Sequence, residues 1–342
     1  MRVGVVGATG AVGRQMTAIL EEREFPLDEL VPLASPRSEG KRIAFRDEEV
    51  PVRPLSLDAL GGLDLALVSA GASVSREFLR PGAAQGTVCV DNSSAFRMEP
   101  DVPLVIPEIN ADALEGHPGI VANPNCTAIN VLMAVGPLHR AVGLRAMVVA
   151  SYQSVSGTGM KGIRELAEQV EKLHGMEEQL VSPDHDALPV GEVYDKTIAY
   201  NVLAFQGGLD EEDWTGEERK LLRESRKILG LPDLSVSATV VRVPVVTGHS
   251  AAIHAEFSRP ITPEEAREIL GEAPGIRVVD DPHGPEYPTP LDAAGIDDVL
   301  VGRIRRVPDR DDALLLFASS DNLRKGAALN AIQIAENLFV NR

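Results

Sequence analysis

The chain has 342 residues, 44% of them hydrophobic, and a net charge of −18. That is ample apolar material for a packed core and more chain than one domain usually holds, so two domains are expected. The acidic balance disfavours a general nucleic-acid binder, which would carry a basic face. No apolar run is long enough to span a bilayer and no charged-then-apolar leader precedes the first strand, so a cytoplasmic protein without membrane association is expected.

The chain opens on a buried-strand pattern, Arg2 to Val6, followed at once by Gly7-Ala8-Thr9-Gly10-Ala11-Val12-Gly13 and an amphipathic helix from Arg14 to about Glu22. A glycine-rich turn between a strand and a helix lets backbone N–H groups approach a pyrophosphate. Gly7, Thr9, Gly10, Ala11 and Val12 are therefore cofactor candidates. The second strand, Leu30 to Ser35, ends without the acid that usually takes the ribose hydroxyls of NAD. Arg37 and Ser38 stand there instead and suit a 2′-phosphate, which points to NADP.

Further strands are expected at Leu63–Val68, Thr87–Asp91 and Leu104–Ile106. Gly71-Ala72-Ser73 lies at the ligand edge of such a sheet. Arg97, in Ser93-Ser94-Ala95-Phe96-Arg97-Met98, is a candidate anion holder or a plain surface arginine. Two cysteines are present. Cys89 sits in an apolar run and reads as core, and both are expected to be reduced. Cys126 is different. It follows Asn123-Pro124-Asn125, at the start of a helix running to about Arg140, where unpaired N–H groups and the helix dipole favour a thiolate. A thiolate can form thioesters.

A strand from Leu144 to Val155 comes next, with Gln153 near its end as a possible ligand for a carboxylate or carbonyl, then a helix from Lys161 to His174. Residues 176–205 are proline-punctuated and read as loop with short strands and a possible contact surface. Glu217 and Glu218 open a helix that runs to Leu229, and helix-start chemistry alone would account for both. The β-rich segment Ser235–Phe257 carries Arg242, which needs a partner anion, and His249 after a Thr-Gly turn. His254 falls on the opposite face from His249, so no metal site is expected, and the cysteines are not spaced for zinc. A capped helix at Thr262–Leu270, a hairpin of Val299–Arg305 and Ala313–Ser319, and a final helix after Ser320-Asp321-Asn322 complete the chain.

Together these pieces resemble bacterial aspartate-β-semialdehyde dehydrogenase over essentially the whole chain. The carriers are GATGAVG at 7–13, SPRS at 35–38, SSAFRM at 93–98, NPNCTA at 123–128, YQSVSGTG at 152–159, EERK at 217–220, RVPVVTGHS at 242–250 and SDNLRKGAALNA at 320–331. Ala128 departs from the pattern, which often has a second threonine there. The resemblance implies an α/β fold: a Rossmann-type dinucleotide-binding domain (1–125, completed by a C-terminal helix in 321–342) and an α+β catalytic and dimerisation domain on a mixed sheet (126–320).

It also implies NADPH-dependent reduction of L-aspartyl-4-phosphate to L-aspartate-4-semialdehyde with release of phosphate, in the biosynthesis of lysine, diaminopimelate, threonine and methionine. Cys126 then looks like the nucleophile and His249 the acid/base, donating as an imidazolium. Gln153, Arg242 and Glu218 look like substrate binders, and Arg97 and Lys220 the phosphate site. Ser156, Gly157 and Asn322 join the cofactor residues. The implied partners are the small-molecule substrate, phosphate and further copies of the chain, as a homodimer or homotetramer. Two alternatives stay open: an N-acetylglutamyl-phosphate reductase, which has no need of an acid for the substrate amine, and a non-catalytic dinucleotide-binding protein.

Overall fold

A computed structural model describes residues 1–205 and 207–340. In the first half, short apolar runs alternate with helices, the pattern of a parallel sheet covered on both faces. The elements are β1 (Arg2–Val6), α1 (Ala11–Glu22), β2 (Glu29–Ala34), a hairpin of β3 (Arg42–Phe45) and β4 (Glu48–Pro51), β5 (Arg53–Pro54), α2 (Leu57–Gly61), β6 (Leu65–Val68), α3 (Ala72–Ala84), β7 (Val88–Asp91), α4 (Pro107–Asn110) and β8 (Ile120–Ala122). The parallel sheet runs β5-β2-β1-β6-β7-β8. The chain order reverses beside β1, so the turns after β1 and β6 flank a crevice at the carboxyl edge. Leu104–Ile106 is not a strand as expected: Leu104 forms a single bridge to Ala122. Pro103 and Pro107 bracket the segment, and a proline has no N–H to extend a ladder.

The second half comprises α5 (Cys126–Val142), β9 (Leu144–Gln153), α6 (Met160–Leu173), α7 (Gly216–Leu229), β10 (Ser235–Arg242), β11 (His249–Phe257), α8 (Pro263–Glu272), β12 (Ile276–Val278), α9 (Pro290–Ala293), β13 (Val299–Arg306) and β14 (Ala313–Ser320). The strands form one mixed sheet in the order β10-β9-β11-β14-β13-β12. β9 pairs in parallel with β10 and antiparallel with β11. Alternation gives this sheet two faces. Met147, Val149, Ile253, Ala255 and Phe257 are buried and join the core with α5, whereas Val148 and Tyr152 stand exposed on the other face.

The stretch expected to hold short strands between 176 and 205 has none among the described residues. It has two 3-10 turns, Glu177–Val181 and His185–Ala187, and one isolated bridge from Leu203 to Arg242. α6 holds it by side chains. Glu165 accepts the N–H groups of Val193 and Tyr194, and Gln169 accepts those of Ile198 and Ala199. These acceptors take the place of a strand neighbour. Among the described residues no helix is long and apolar enough to cross a membrane.

The chain ends by returning to the first sheet. A π-helical turn, Arg324–Ala328, leads into α10 (Leu329–Phe339). Leu329, Ile332, Ala335 and Leu338 pack in one cluster with Val3, Val5, Ile19 and Leu67. Lys325, fully buried, fixes the turn. Its ammonium donates to both carboxylate oxygens of Glu108 (2.8 and 2.7 Å), to Asn330 Oδ1 (3.0 Å) and to Gln333 Oε1 (2.7 Å). Burial lowers the Lys325 pKa and the Glu108 charge opposes that shift. Removing one partner of such a pair leaves the other charge buried and alone. Lys325→Met should therefore cost about 3–5 kcal/mol, read as a lower urea midpoint; an unchanged midpoint would contradict this account of the turn.

Candidate active site

Both sheets aim strand ends at one cleft of about 640 Å³. From the first sheet come the turns after β1, β6, β7 and β8, contributing Gly10, Ser69, Asn92 and Asn123. From the second come Gln153 at the end of β9, Arg242 at the end of β10, His249 at the start of β11 and Asn322 just after β14. Gln153 and Arg242 are register partners, so they emerge side by side.

The nucleotide end is shaped by absent side chains. Gly7 has φ +86°, and a Cβ there would stand 2.2 Å from the Ser69 carbonyl oxygen; one at Gly13 would stand 2.3 Å from Gly7 O. The turn therefore closes tightly on the start of α1, with Gly10 N–H donating to Gly7 O at 2.9 Å. No side chain caps α1 at Gly10, so the first-turn N–H groups stay available to an anion. Gly10, Ala11 and Val12 line the cleft, while Gly7 shapes the turn. Arg37 and Ser38 lie in a 3-10 turn after β2, with Arg37 exposed and the Ser38 hydroxyl 3.3 Å from that of Thr9. The side-chain amide of Asn92 has no partner among the described residues. These features fit a dinucleotide with a phosphorylated ribose.

At the reaction end Cys126 is the first residue of α5. Asn125 caps the helix, its Oδ1 accepting the N–H groups of Thr127 (2.9 Å) and Ala128 (3.4 Å). Gln153 Nε2 donates to Thr127 Oγ1 at 2.7 Å, tying β9 to the same helix end. The π turn passes so close that a Cβ on Gly326 would lie 3.0 Å from Cys126 Cβ. A Cβ on Gly157 would lie 2.9 Å from Arg242 Nη1 and 3.3 Å from His249 Nε2, so that glycine keeps the space over both open. Ser156, Gly157 and Asn322 line this part of the cleft. The Asn322 amide is also engaged within the protein: Oδ1 accepts Ser154 Oγ, Ser156 Oγ and Gly248 N–H.

The electrostatics differ from expectation at two residues. Burial pushes the Cys126 thiol up to about 11, the Glu217 carboxylate adding to the shift. Arg242, Arg97 and the Thr127 N–H pull it down, but less. Burial thus works against the helix end at this thiol. Burial, and then the Arg242 guanidinium, hold His249 well below the ordinary histidine value, which opposes the expected imidazolium. Cys89 is buried core, its thiol pushed up to about 12 by burial, and both cysteines are free.

α7 supplies the third wall. Glu217, Lys220, Glu224 and Lys227 recur at a spacing that puts them on one helix face. Glu217 lines the cleft, with Oε1 accepting the Lys220 ammonium and Oε2 accepting Asn125 Nδ2 at 3.0 Å. Burial alone would raise its pKa, yet Lys220, Asn125 and Gln153 together hold its carboxyl below the usual range. Glu218, expected near the substrate, is turned away. Its Oε2 accepts the Thr215 N–H at 2.9 Å in a capping box and its Oε1 accepts Val240 N–H. Thr215 followed three residues later by Glu218 is the sequence signal of that box, and it would have pointed to Glu217 instead.

Arg97 is buried, not a surface arginine. It donates to Asn123 O (2.9 Å), Asn92 O (2.8 Å) and Glu224 Oε1 (2.9 Å). A guanidinium has five N–H groups, so these three bonds leave two N–H groups over, and Arg97 lines the cleft. Glu224, 1% exposed, also accepts the Asn125 backbone N–H at 2.7 Å. Lys227 donates to the carbonyls of Arg97, Glu99 and Val102, each at 2.8 Å, and so anchors the Arg97 loop. Glu224 and Lys227 went unread in the sequence, although they continue the face begun by Glu217 and Lys220. Among the described residues no cluster could hold a metal ion.

Two family models match the chain: the semialdehyde dehydrogenase NAD-binding domain over residues 2–117 and the semialdehyde dehydrogenase dimerisation domain over 135–325. The chain is 50% identical to an aspartate-semialdehyde dehydrogenase of Corynebacterium glutamicum over 346 aligned positions, 98% of each chain. It is 46% identical to that of Aquifex aeolicus, covering 98% of this chain and 97% of the relative. Its structure is similar to aspartate semialdehyde dehydrogenase II of Vibrio cholerae complexed with ASA, at a TM-score of 0.91 and 40% identity over 98% and 97% of the two chains. A Candida albicans aspartate semialdehyde dehydrogenase with NADP aligns at 0.72 and 25% identity over 98% of each chain. These relatives do not favour the N-acetylglutamyl-phosphate or non-catalytic alternatives. The chain belongs to the aspartate-semialdehyde dehydrogenase family of NADP-dependent phosphorylating oxidoreductases.

Proposed function

We propose that the protein reduces L-aspartyl-4-phosphate to L-aspartate-4-semialdehyde and phosphate through a thioester on Cys126, in the biosynthesis of the aspartate-family amino acids. The observation that carries this reading is the thiol at the start of α5, in one cleft with Gln153, Arg242, His249 and the glycine turn. The first-turn N–H groups at Gly10, Ala11 and Val12 would hold the pyrophosphate of NADP, Thr9, Arg37 and Ser38 its ribose phosphate, and Ser156, Gly157 and Asn322 its nicotinamide end. When bound, the reduced cofactor supplies hydride.

Cys126 Sγ attacks the acyl carbon. Arg97 and Lys220 offset the negative charge of the phosphate as it departs. Arg242 grips the α-carboxylate with a planar pair of N–H groups, and Gln153 orients the substrate from beside it. Glu217, in place of Glu218, faces the amino group. Backbone N–H groups at the start of α5 and the imidazole of His249 stabilise negative charge on the reacting oxygen.

On this reading residues 1–125 and the segment from Asp321 onward form the cofactor domain, and 126–320 the catalytic domain. The match to a dimerisation domain supports a homo-oligomer, and we assign the pairing of copies in a homodimer to the open face of the mixed sheet around Val148 and Tyr152. A cytoplasmic location accords with a reaction that draws on NADPH.

Cys126→Ala should lower turnover more than about a thousandfold while leaving NADPH binding, followed by fluorescence titration, unchanged. Near-normal turnover by that variant would end the thioester mechanism. Because the ligand-free thiol sits near 11, its alkylation by iodoacetamide should accelerate about tenfold per pH unit from pH 7 to 10, as the thiolate fraction grows. A rate already level below pH 8 would mean that the helix end, not burial, sets the thiol.

A further inference from the structure

A second cavity, of about 410 Å³, shares a wall with the cleft: Ser94, Arg97 and Lys220 line both. Arg97 follows β7, which lies two strands from β1 and its glycine turn in the sheet order. The shared wall is therefore set apart from the nucleotide end. The cavity's remaining lining comes from the loop at 208–214 and from α7, where Arg219, Arg223 and Glu224 join it. Arg219 and Lys220 stand four and three residues before Arg223, a spacing that makes them its neighbours on the helix surface.

The carboxylates of this cavity already have donors. The oxygens of Glu224 accept from Arg97 and from the Asn125 N–H. Asp210 Oδ1 accepts the N–H groups of Glu212 and Trp214, and its Oδ2 accepts Arg219 Nε at 2.6 Å. The N–H groups, by contrast, are in surplus. Arg219 gives one more to Glu212 and stacks over the Trp214 ring, 4.8 Å from its centre, which leaves three of its five. Lys220 gives one to Glu217. Arg223 is exposed and makes no hydrogen bond or ion pair among the described residues. A wall whose carboxylate oxygens are engaged and whose guanidinium N–H groups are not suits a small, multiply charged oxyanion.

We propose that this cavity is a second anion site, which takes inorganic phosphate on Arg219 and Arg223 and exchanges it with the cleft past Arg97 and Lys220. The exchange rests on the thioester reading above; the anion site does not. In that reading phosphate departs when the thioester forms, before hydride is transferred, while the cofactor holds the glycine-turn end. A product released between two steps needs a way out that does not pass the cofactor, and the shared wall provides one. Arg97 and Lys220 offset the charge in the cleft, and Arg223 is the exposed cation of the set. Each move along the path replaces one charged donor by the next, so the dianion is not left without a partner away from bulk water. No covalent bond changes along it.

The test uses the full chain in the reverse reaction, with NADP, L-aspartate semialdehyde and inorganic phosphate at constant ionic strength. Arg223→Gln should raise the KM for phosphate about three- to fivefold, the size expected of one exposed charge, and leave the KM values for NADP and aspartate semialdehyde unchanged. Added potassium chloride should shrink that ratio, because salt screens the contact. Arg306→Gln is the control. Arg306 is exposed and pairs in register with Leu314, near the start of β14 and away from its cleft end, so this variant should match the unsubstituted protein. Trp214, the chain's one tryptophan, gives a reading that needs no turnover. Phosphate titrated into NADP-saturated protein should change its emission, with a midpoint about three- to fivefold higher in Arg223→Gln. A phosphate KM in Arg223→Gln equal to that in Arg306→Gln overturns the proposal, as does an equal rise in all three KM values. An emission response that is absent, or that Arg223→Gln leaves unmoved, overturns it too. Phosphate-dependent emission weakened by Arg223→Gln, in a protein inactive toward aspartate semialdehyde, would sustain the anion site and remove the functional reading beneath the exchange.

Discussion

The carboxylate of Glu224 ties the parts of the site together. It is nearly inaccessible, and its two oxygens accept from Arg97 Nη1 and from the backbone N–H of Asn125. Burying a carboxylate is costly unless it is paired and its lone pairs are used, and here both conditions are met by groups from the first-sheet loops. The result is geometric. The helix that carries Glu224 also carries Glu217 and Lys220, so one rigid element sets the Arg97 guanidinium, the cap before Cys126 and two cleft charges at once.

A second buried ion pair does the same from the other side. Lys325 and Glu108 lock the π turn against α4, and Asn330 Nδ2 extends the network to Val105 O and Asn123 Oδ1. Asn123 N–H in turn reaches Asp91 O on β7. The Cys126 loop is therefore held between two polar networks while an apolar helix runs away from it into the core. π turns are frequent at functional sites, and here Gly326 lets the turn pass close to Cys126, since any side chain there would meet it.

Much of this was legible in the sequence because the signals are local. A glycine turn between a strand and a helix, a cysteine after a capping asparagine, and polar residues at the ends of apolar strands each announce themselves within about ten residues. The doubly wound order and the mixed sheet follow from the alternation of runs and from the family resemblance. What the sequence hid depends on distant neighbours. The choice between Glu217 and Glu218 turns on how α7 rolls against β10, and adjacent helix positions point about 100° apart. The thiol of Cys126 carries opposite contributions from its helix end and from burial, and only the packed site shows that burial is the larger. Within 176–205 the N–H groups of Val193, Tyr194, Ile198 and Ala199 go to side-chain acceptors on α6 rather than to a strand ladder, so no strand periodicity is imposed there.

The most direct measurement is the reverse reaction followed by absorbance. Purified protein would receive NADP, phosphate and L-aspartate semialdehyde, with N-acetylglutamate semialdehyde in a parallel cuvette. The account predicts phosphate-dependent NADPH formation with the first substrate only. Formation with the second substrate only, or none with either from protein that binds NADPH, would contradict it.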